Sequence, residues 1–289
     1  MTYARIHQLV ESHDGTRIYA EAVGNPAAQA IVFIHGYACA SFHFNRQFTD
    51  AGLVNRLYMI RYDVRGHGQS DAPLEEAAYA SIKHAQDFKS VVNAFGAVKP
   101  ILAGWLYYAG VVAADLVAAY GPDYILGVIL LGSFPQKMMH PSIATDHAAT
   151  LRPGLRSSDA REFSQVVPGF VKACFAPGYE VPSEDMAAFM GILFALPSEV
   201  RIFSGARTQD PEPLTVAFKG GKLPYVAIHG RQDRLVDCSK VRAWLRENWG
   251  EVEFHELEGV GHAPFFEAPE RTNALILKFV GKVKGYDNS

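Results

Sequence analysis

Two segments of alternating character open the chain, residues 5–12 and 16–23, and the His13-Asp14-Gly15 link between them favours a tight hairpin turn. The pattern then changes to short continuous apolar runs at 30–34, 57–62, 100–104, 126–131, 223–228 and 252–257. Bounded by Gly or Asp, runs of this length predict strands buried on both faces, as in a parallel sheet. Between them, apolar positions recur at helical spacing over 79–95, 107–120, 240–249 and 269–283. Strand and helix in alternation predict an α/β fold, with right-handed crossovers and a mostly parallel, doubly wound sheet.

The rhythm breaks over residues 134–221. No good strand occurs there, and prolines, among them Pro135, Pro141, Pro153, Pro168, Pro182 and Pro197, punctuate short helical pieces at 161–175 and 183–196. This predicts a helical cap over 134–221, inserted into a core made of residues 1–133 and 222–289. Phe163, Phe170, Met186, Phe189, Met190 and Phe194 either line an apolar site or form a helix–helix core. At 289 residues and 49% hydrophobic, the chain can bury such a core. Its formal net charge of -3 is dispersed, and no Lys/Arg run suggests a nucleic-acid partner. No apolar stretch approaches the roughly 20 residues of a membrane span. The N-terminus reads as a lead into a strand and not as a signal peptide. Three widely spaced cysteines, Cys39, Cys174 and Cys238, suggest no disulfide framework, so a soluble cytoplasmic protein is expected. No H-E-x-x-H or Cys/His spacing points to a metal, and no G-x-G-x-x-G to a dinucleotide; no cofactor is expected.

Five motifs carry candidate chemistry. His35-Gly36 closes one apolar run, and Asp63-Val64-Arg65-Gly66-His67-Gly68-Gln69-Ser70 follows the next. Leu102-Ala103-Gly104-Trp105-Leu106-Tyr107-Tyr108-Ala109-Gly110 reads as a strand turning sharply into a helix. His229-Gly230-Arg231-Gln232-Asp233-Arg234-Leu235-Val236 and Gly261-His262-Ala263-Pro264-Phe265-Phe266-Glu267 complete the set. In that order they resemble the α/β-hydrolase superfamily over nearly the whole chain, in the manner of capped esterases and lactonases. The resemblance implies an oxyanion loop at Gly36 and Tyr37, a nucleophile elbow of pattern G-x-S-x-G from Gly104, a triad acid at Asp233 and a triad base at His262. It also implies that the backbone amides of Tyr37 and Tyr107 act as oxyanion donors, with Trp105 beside the substrate.

The elbow departs from the family pattern. The serine position holds Leu106, and Tyr108 and Ala109 replace small residues expected after Tyr107. A leucine has no lone pair and no proton to lose, so no acyl-enzyme forms there. The parent activity implied is hydrolysis of a small ester, lactone or related acyl compound, with the nucleophile lost by divergence or engineering. Three readings follow. The His262/Asp233 dyad could retain acid–base chemistry on a small apolar carbonyl compound, with Tyr108 lending its phenol. The capped pocket could hold a ligand without turnover. Or the chain could be a structural pseudoenzyme. Cys39 as a surrogate thiol is weighed against inert packing. His35 and His67 read as structural, and His43, His84, His140, His147 and His255 as solvated.

Overall fold

The computed structural model describes residues 3–287. Its centre is an eight-stranded sheet in the order β1-β2-β4-β3-β5-β6-β7-β8. The strands are β1 Ile6–Glu11, β2 Arg17–Gly24, β3 Ala30–Ile34, β4 Tyr58–Tyr62, β5 Ile101–Trp105, β6 Gly127–Leu131, β7 Tyr225–Gly230 and β8 Glu253–Leu257. The β1/β2 pair is antiparallel and joined by the Asp14-Gly15 turn, in which the amide of Ser12 donates to the carbonyl of Thr16 at 2.8 Å. β2 also runs antiparallel to β4, and every later pairing is parallel.

Five of the six expected runs are the interior strands β3–β7; the sixth, 252–257, is the edge strand β8, which alternates Glu253, Phe254, His255 and Glu256 and is only partly buried up to Leu257. Every residue of β3, β4, β5 and β6 is buried, and full burial of a Val, Ile, Leu or Phe side chain contributes roughly 1.5–3 kcal/mol. Helices Ser81–Ala94, Leu106–Tyr120, Cys238–Trp249 and Pro269–Asp287 supply the layers around the sheet. Leu106–Tyr120 is apolar nearly all round, which suits a helix with no solvent face.

Between β6 and β7 the described residues form helices and no strand: Asp146–Arg156, Ala160–Ala173, Ser183–Ala195, Ser198–Ala206 and Glu212–Lys219 are the longer ones. The prolines do not all punctuate as expected: Pro153 and Pro168 lie inside the helices Asp146–Arg156 and Ala160–Ala173, while others act as start signals. Pro182 and Pro197 directly precede two of these helices, and Thr145 and Asp159 cap two others by accepting backbone amides. One buried ion pair ties this layer to the helix Leu106–Tyr120: Arg207 donates to Asp115 at 2.6 Å, with both side chains almost fully buried. A second braces the loop after β4, where Arg65 makes two bonds to Asp87 at 2.7 and 2.6 Å and a third to Asp14 at 3.0 Å. Among the described residues no single helix is long and apolar enough to cross a membrane.

Candidate active site

β5 lies in the middle of the sheet, and its end is where the chain bends most sharply. Trp105 is extended (φ -106°, ψ 144°), Leu106 takes φ +54°, and the helix Leu106–Tyr120 starts at once. Holding a branched residue in the left-handed region costs roughly 1–2 kcal/mol, so the surroundings must impose the bend. Gly104 permits the tight return of the helix: a Cβ there would stand 2.8 Å from both Cα and Cβ of Ala109. Ser133, just past β6, donates its hydroxyl to the carbonyl of Leu106 and pins the corner from below.

The acid and the imidazole meet as the motifs imply. Asp233 follows β7, and its Oδ1 accepts the amides of Leu235 at 2.8 Å and Val236 at 2.9 Å. Its Oδ2 is 2.7 Å from His262 Nδ1, and both side chains are buried. A carboxylate accepts only, so the neutral ring carries its proton on Nδ1 and leaves Nε2 as the basic nitrogen. His262 sits on the loop after β8, where Trp105 Nε1 donates to its carbonyl at 2.9 Å. The loop comes so close to the end of β6 that a Cβ on Gly132 would fall 2.4 Å from that same carbonyl oxygen. Nε2 is buried and has no hydrogen-bond partner; no hydroxyl or thiol reaches it among the described residues.

A cavity of about 390 Å³ opens above the corner. Tyr37, Leu106, Leu155, Phe170, Leu235 and Val236 form much of its wall, and Lys137, His140, Arg152 and Arg156 supply its polar side. His262 and Trp105 do not line it and have no solvent exposure. Leu106 does, and it packs against the Gly36 loop: a Cβ on Gly36 would stand 3.1 Å from Leu106 Cβ. The isobutyl group thus fills the space between the corner and the loop. Tyr37 reaches across to the carbonyl of Arg201 at 3.0 Å.

Other sequence candidates lie elsewhere. Tyr108 is fully buried behind the corner, its ring 6.0, 5.6 and 5.9 Å from the imidazoles of His35, His67 and His84; it is not on the cavity wall. A phenol there packs the core. Tyr107 contributes its backbone to the first turn of the helix, and its side chain lies outside the described residues. Cys39 is buried, and burial pushes its thiol well above the ordinary range, the opposite of what an attacking thiolate needs. Of the six apolar residues 163–194 weighed above, Phe170 alone lines the cavity. Phe189 instead stacks on His43 at 3.9 Å, and Phe163 lies under the Arg201 guanidinium at 3.7 Å.

His35 and His67 hold loops. His35 Nε2 accepts the amide of Val64 at 2.9 Å while Nδ1 faces the carbonyl of Gly36 at 2.7 Å. His67 Nε2 accepts the amide of Ala38 at 3.2 Å, and Nδ1 faces the carbonyl of Arg65 at 3.1 Å. The expected exposure of His43 and His84 is overturned, since both are buried, and His140 is partly buried on the cavity wall. The cationic side of the cavity went unread in the sequence. Its signal was present: Arg152 and Arg156 fall one helical turn apart, interleaved with Leu151 and Leu155.

Comparison with known proteins gives one consistent picture. The model of the Alpha/beta hydrolase family matches residues 31–275. The AB hydrolase superfamily protein YisY of Bacillus subtilis is 25% identical over 281 residues, covering 93% of this chain and 97% of that protein. An esterase from Rhodococcus sp. superposes with a TM-score of 0.82 at 28% identity, covering 96% of this chain and 99% of that one. A candidate aryl esterase from Burkholderia cenocepacia gives a TM-score of 0.86 at 24% identity, covering 97% and 100%.

Proposed function

The chain belongs to the Alpha/beta hydrolase family, and on that premise we propose that it is a ligand-binding descendant of an esterase- or lactonase-type serine hydrolase, with Leu106 in the nucleophile's place. The cavity, roofed by the helices of 134–221 acting as a cap, holds a small carbonyl compound without covalent turnover. One observation carries this reading. Leu106 lines the cavity while the His262 imidazole is fully buried and off the cavity wall.

Two consequences follow from that arrangement. No oxygen is available to attack, and loss of a triad serine removes on the order of 10⁶ in rate. A water serving instead would have to bond to His262 Nε2, which is buried and off the cavity wall. The isobutyl group of Leu106 leans on the Gly36 loop, where the oxyanion donors of the parent site, Tyr37 and Tyr107, would converge. What survives is a pocket with a built wall and no reacting atom.

A second reading is favoured by the intact dyad. Asp233 keeps both of its backbone donors and its 2.7 Å contact to Nδ1. If Leu106 swings aside when a ligand binds, His262 becomes a base for proton abstraction or water attack.

The test is a fluorophosphonate probe together with an activated ester. The wild-type protein is expected to give no labelling and no acyl burst. Leu106→Ser, alone and combined with Tyr108→Gly and Ala109→Gly, is expected to gain labelling at position 106; the single variant keeps the test valid if the triple one fails to fold. Ester turnover by the wild type that vanishes in His262→Ala would replace the binding reading with the second one. Labelling of the wild type at any residue would overturn the assignment of position 106.

A further inference from the structure

The polar side of the cavity carries one sign of charge. Arg152 and Arg156 stand one turn apart on the helix Asp146–Arg156, Lys137 faces them from the segment after β6, and no carboxylate is among the lining residues. Neither arginine has an ion-pair or hydrogen-bonding partner among the described residues. Arg156 lies along the neighbouring helix, where its Nη2 would be 3.2 Å from a Cβ on Gly205. Lys137 is anchored from below by donating to the carbonyl of Arg207. Like charges at i,i+4 are destabilising in an isolated helix, and partial burial, with a smaller part from repulsion by Arg156, lowers the pKa of Arg152. Burial, with repulsion from the same two arginines adding to it, brings His140 down to about 4, so it stands neutral beside them as a hydrogen-bonding group.

Two guanidinium groups without a carboxylate partner, Arg156 at the exposed edge, and the ammonium of Lys137 thus gather on the wall of one apolar-lined pocket. We infer that the ligand of this cavity is an anionic amphiphile, a carboxylate on an apolar body, whose head group is held by Arg152 and Arg156 with Lys137 alongside and whose body lies on Leu106, Phe170 and Leu235. The planar guanidinium fork matches a carboxylate with two parallel bonds, and a cavity of about 390 Å³ suits a small molecule and not a polymer. This inference rests on the reading of the cavity as the ligand site. It adds the charge and polarity of the occupant.

Isothermal titration of the whole chain with octanoate and with octanamide, its neutral analogue, at neutral pH and low salt tests it. Octanoate is expected to bind at least 10-fold more tightly than octanamide. In the Arg152→Gln/Arg156→Gln double variant that ratio is expected to fall to near one, through weaker octanoate binding alone. Raising the salt to 0.5 M should shrink the ratio in the wild type. Equal binding of the two probes, unchanged in the double variant, would overturn the anionic assignment and leave the cavity as the ligand site. Binding of neither probe, with the variant showing a native circular dichroism spectrum, would overturn both.

Discussion

Acidification is expected to unfold this protein far above the pH at which surface carboxylates protonate. Burial pushes His35 and His229 down from 6.5 to about 4 and His43 and His67 to about 3. Two of these rings are committed to one neutral tautomer. A proton on Nε2 of His35 or His67 would point at the amide N–H of Val64 or Ala38 and turn an accepted bond into a clash. Each group therefore binds its proton more readily in the unfolded chain. The stability held above pH 6.5 is lost as pH falls toward the folded value. From pH 7.5 to pH 5.5 each contributes a loss of about 1.3 kcal/mol, about 5 kcal/mol for the four, against a typical total of roughly 5–15 kcal/mol. Asp63, Asp87, Asp115 and Glu267 are shifted up by burial and work in the opposite sense, offsetting part of this loss. Urea unfolding followed by circular dichroism at pH 7.5, 6.5 and 5.5 reads the loss, and the pH slope gives the protons taken up. A change under about 1 kcal/mol over this range, or native imidazole resonances of His35 and His67 titrating near 6.5, would refute the reasoning.

Three further outcomes are open to direct measurement. Asp115→Ala leaves Arg207 charged and buried without its carboxylate, and should cost about 3–5 kcal/mol in urea unfolding. Gly104→Ala forces a methyl group within 2.8 Å of Ala109 backbone and should destabilise by about 1–3 kcal/mol; an unchanged melting temperature would contradict the tight corner. Leu106→Gly removes the left-handed strain but also a buried side chain, for a net loss of about 1–3 kcal/mol. It should also speed modification of His262 by diethyl pyrocarbonate, read by peptide mapping, whereas equal rates in variant and wild type would show that Leu106 does not shield the ring.

The sheet was legible because burial on both faces demands apolar runs, and each run from 30–34 onward emerged as a strand in its expected place; 252–257 did so as the edge strand β8, whose polar alternation matches its partial burial. The juxtaposition of Asp233 and His262 was legible from the motifs that hold them at the ends of β7 and β8. Properties set by packing were not. His43 and His84 carry no pattern announcing burial; they are enclosed because Phe189 and Tyr108 happen to cover them in three dimensions. Tyr108, placed beside the reactive corner by sequence, turns away from the cavity because the third residue of a helix projects to another side than the first. The basic wall needed two separate segments, around Lys137 and around Arg152, to be folded onto each other before their charges could be seen as one field.

The left-handed corner at Leu106 has a bearing on the history of the chain. Backbone that a leucine would not choose is still being enforced by a glycine on one side and a serine hydroxyl on the other. A hydroxyl introduced at that corner would inherit the left-handed backbone that now holds Leu106, with the Asp233–His262 pair already in contact. On the function proposed above, the distance back to a reactive ancestor is measured in side chains, not in architecture, and such a scaffold stays open to reawakening for as long as the corner keeps its shape.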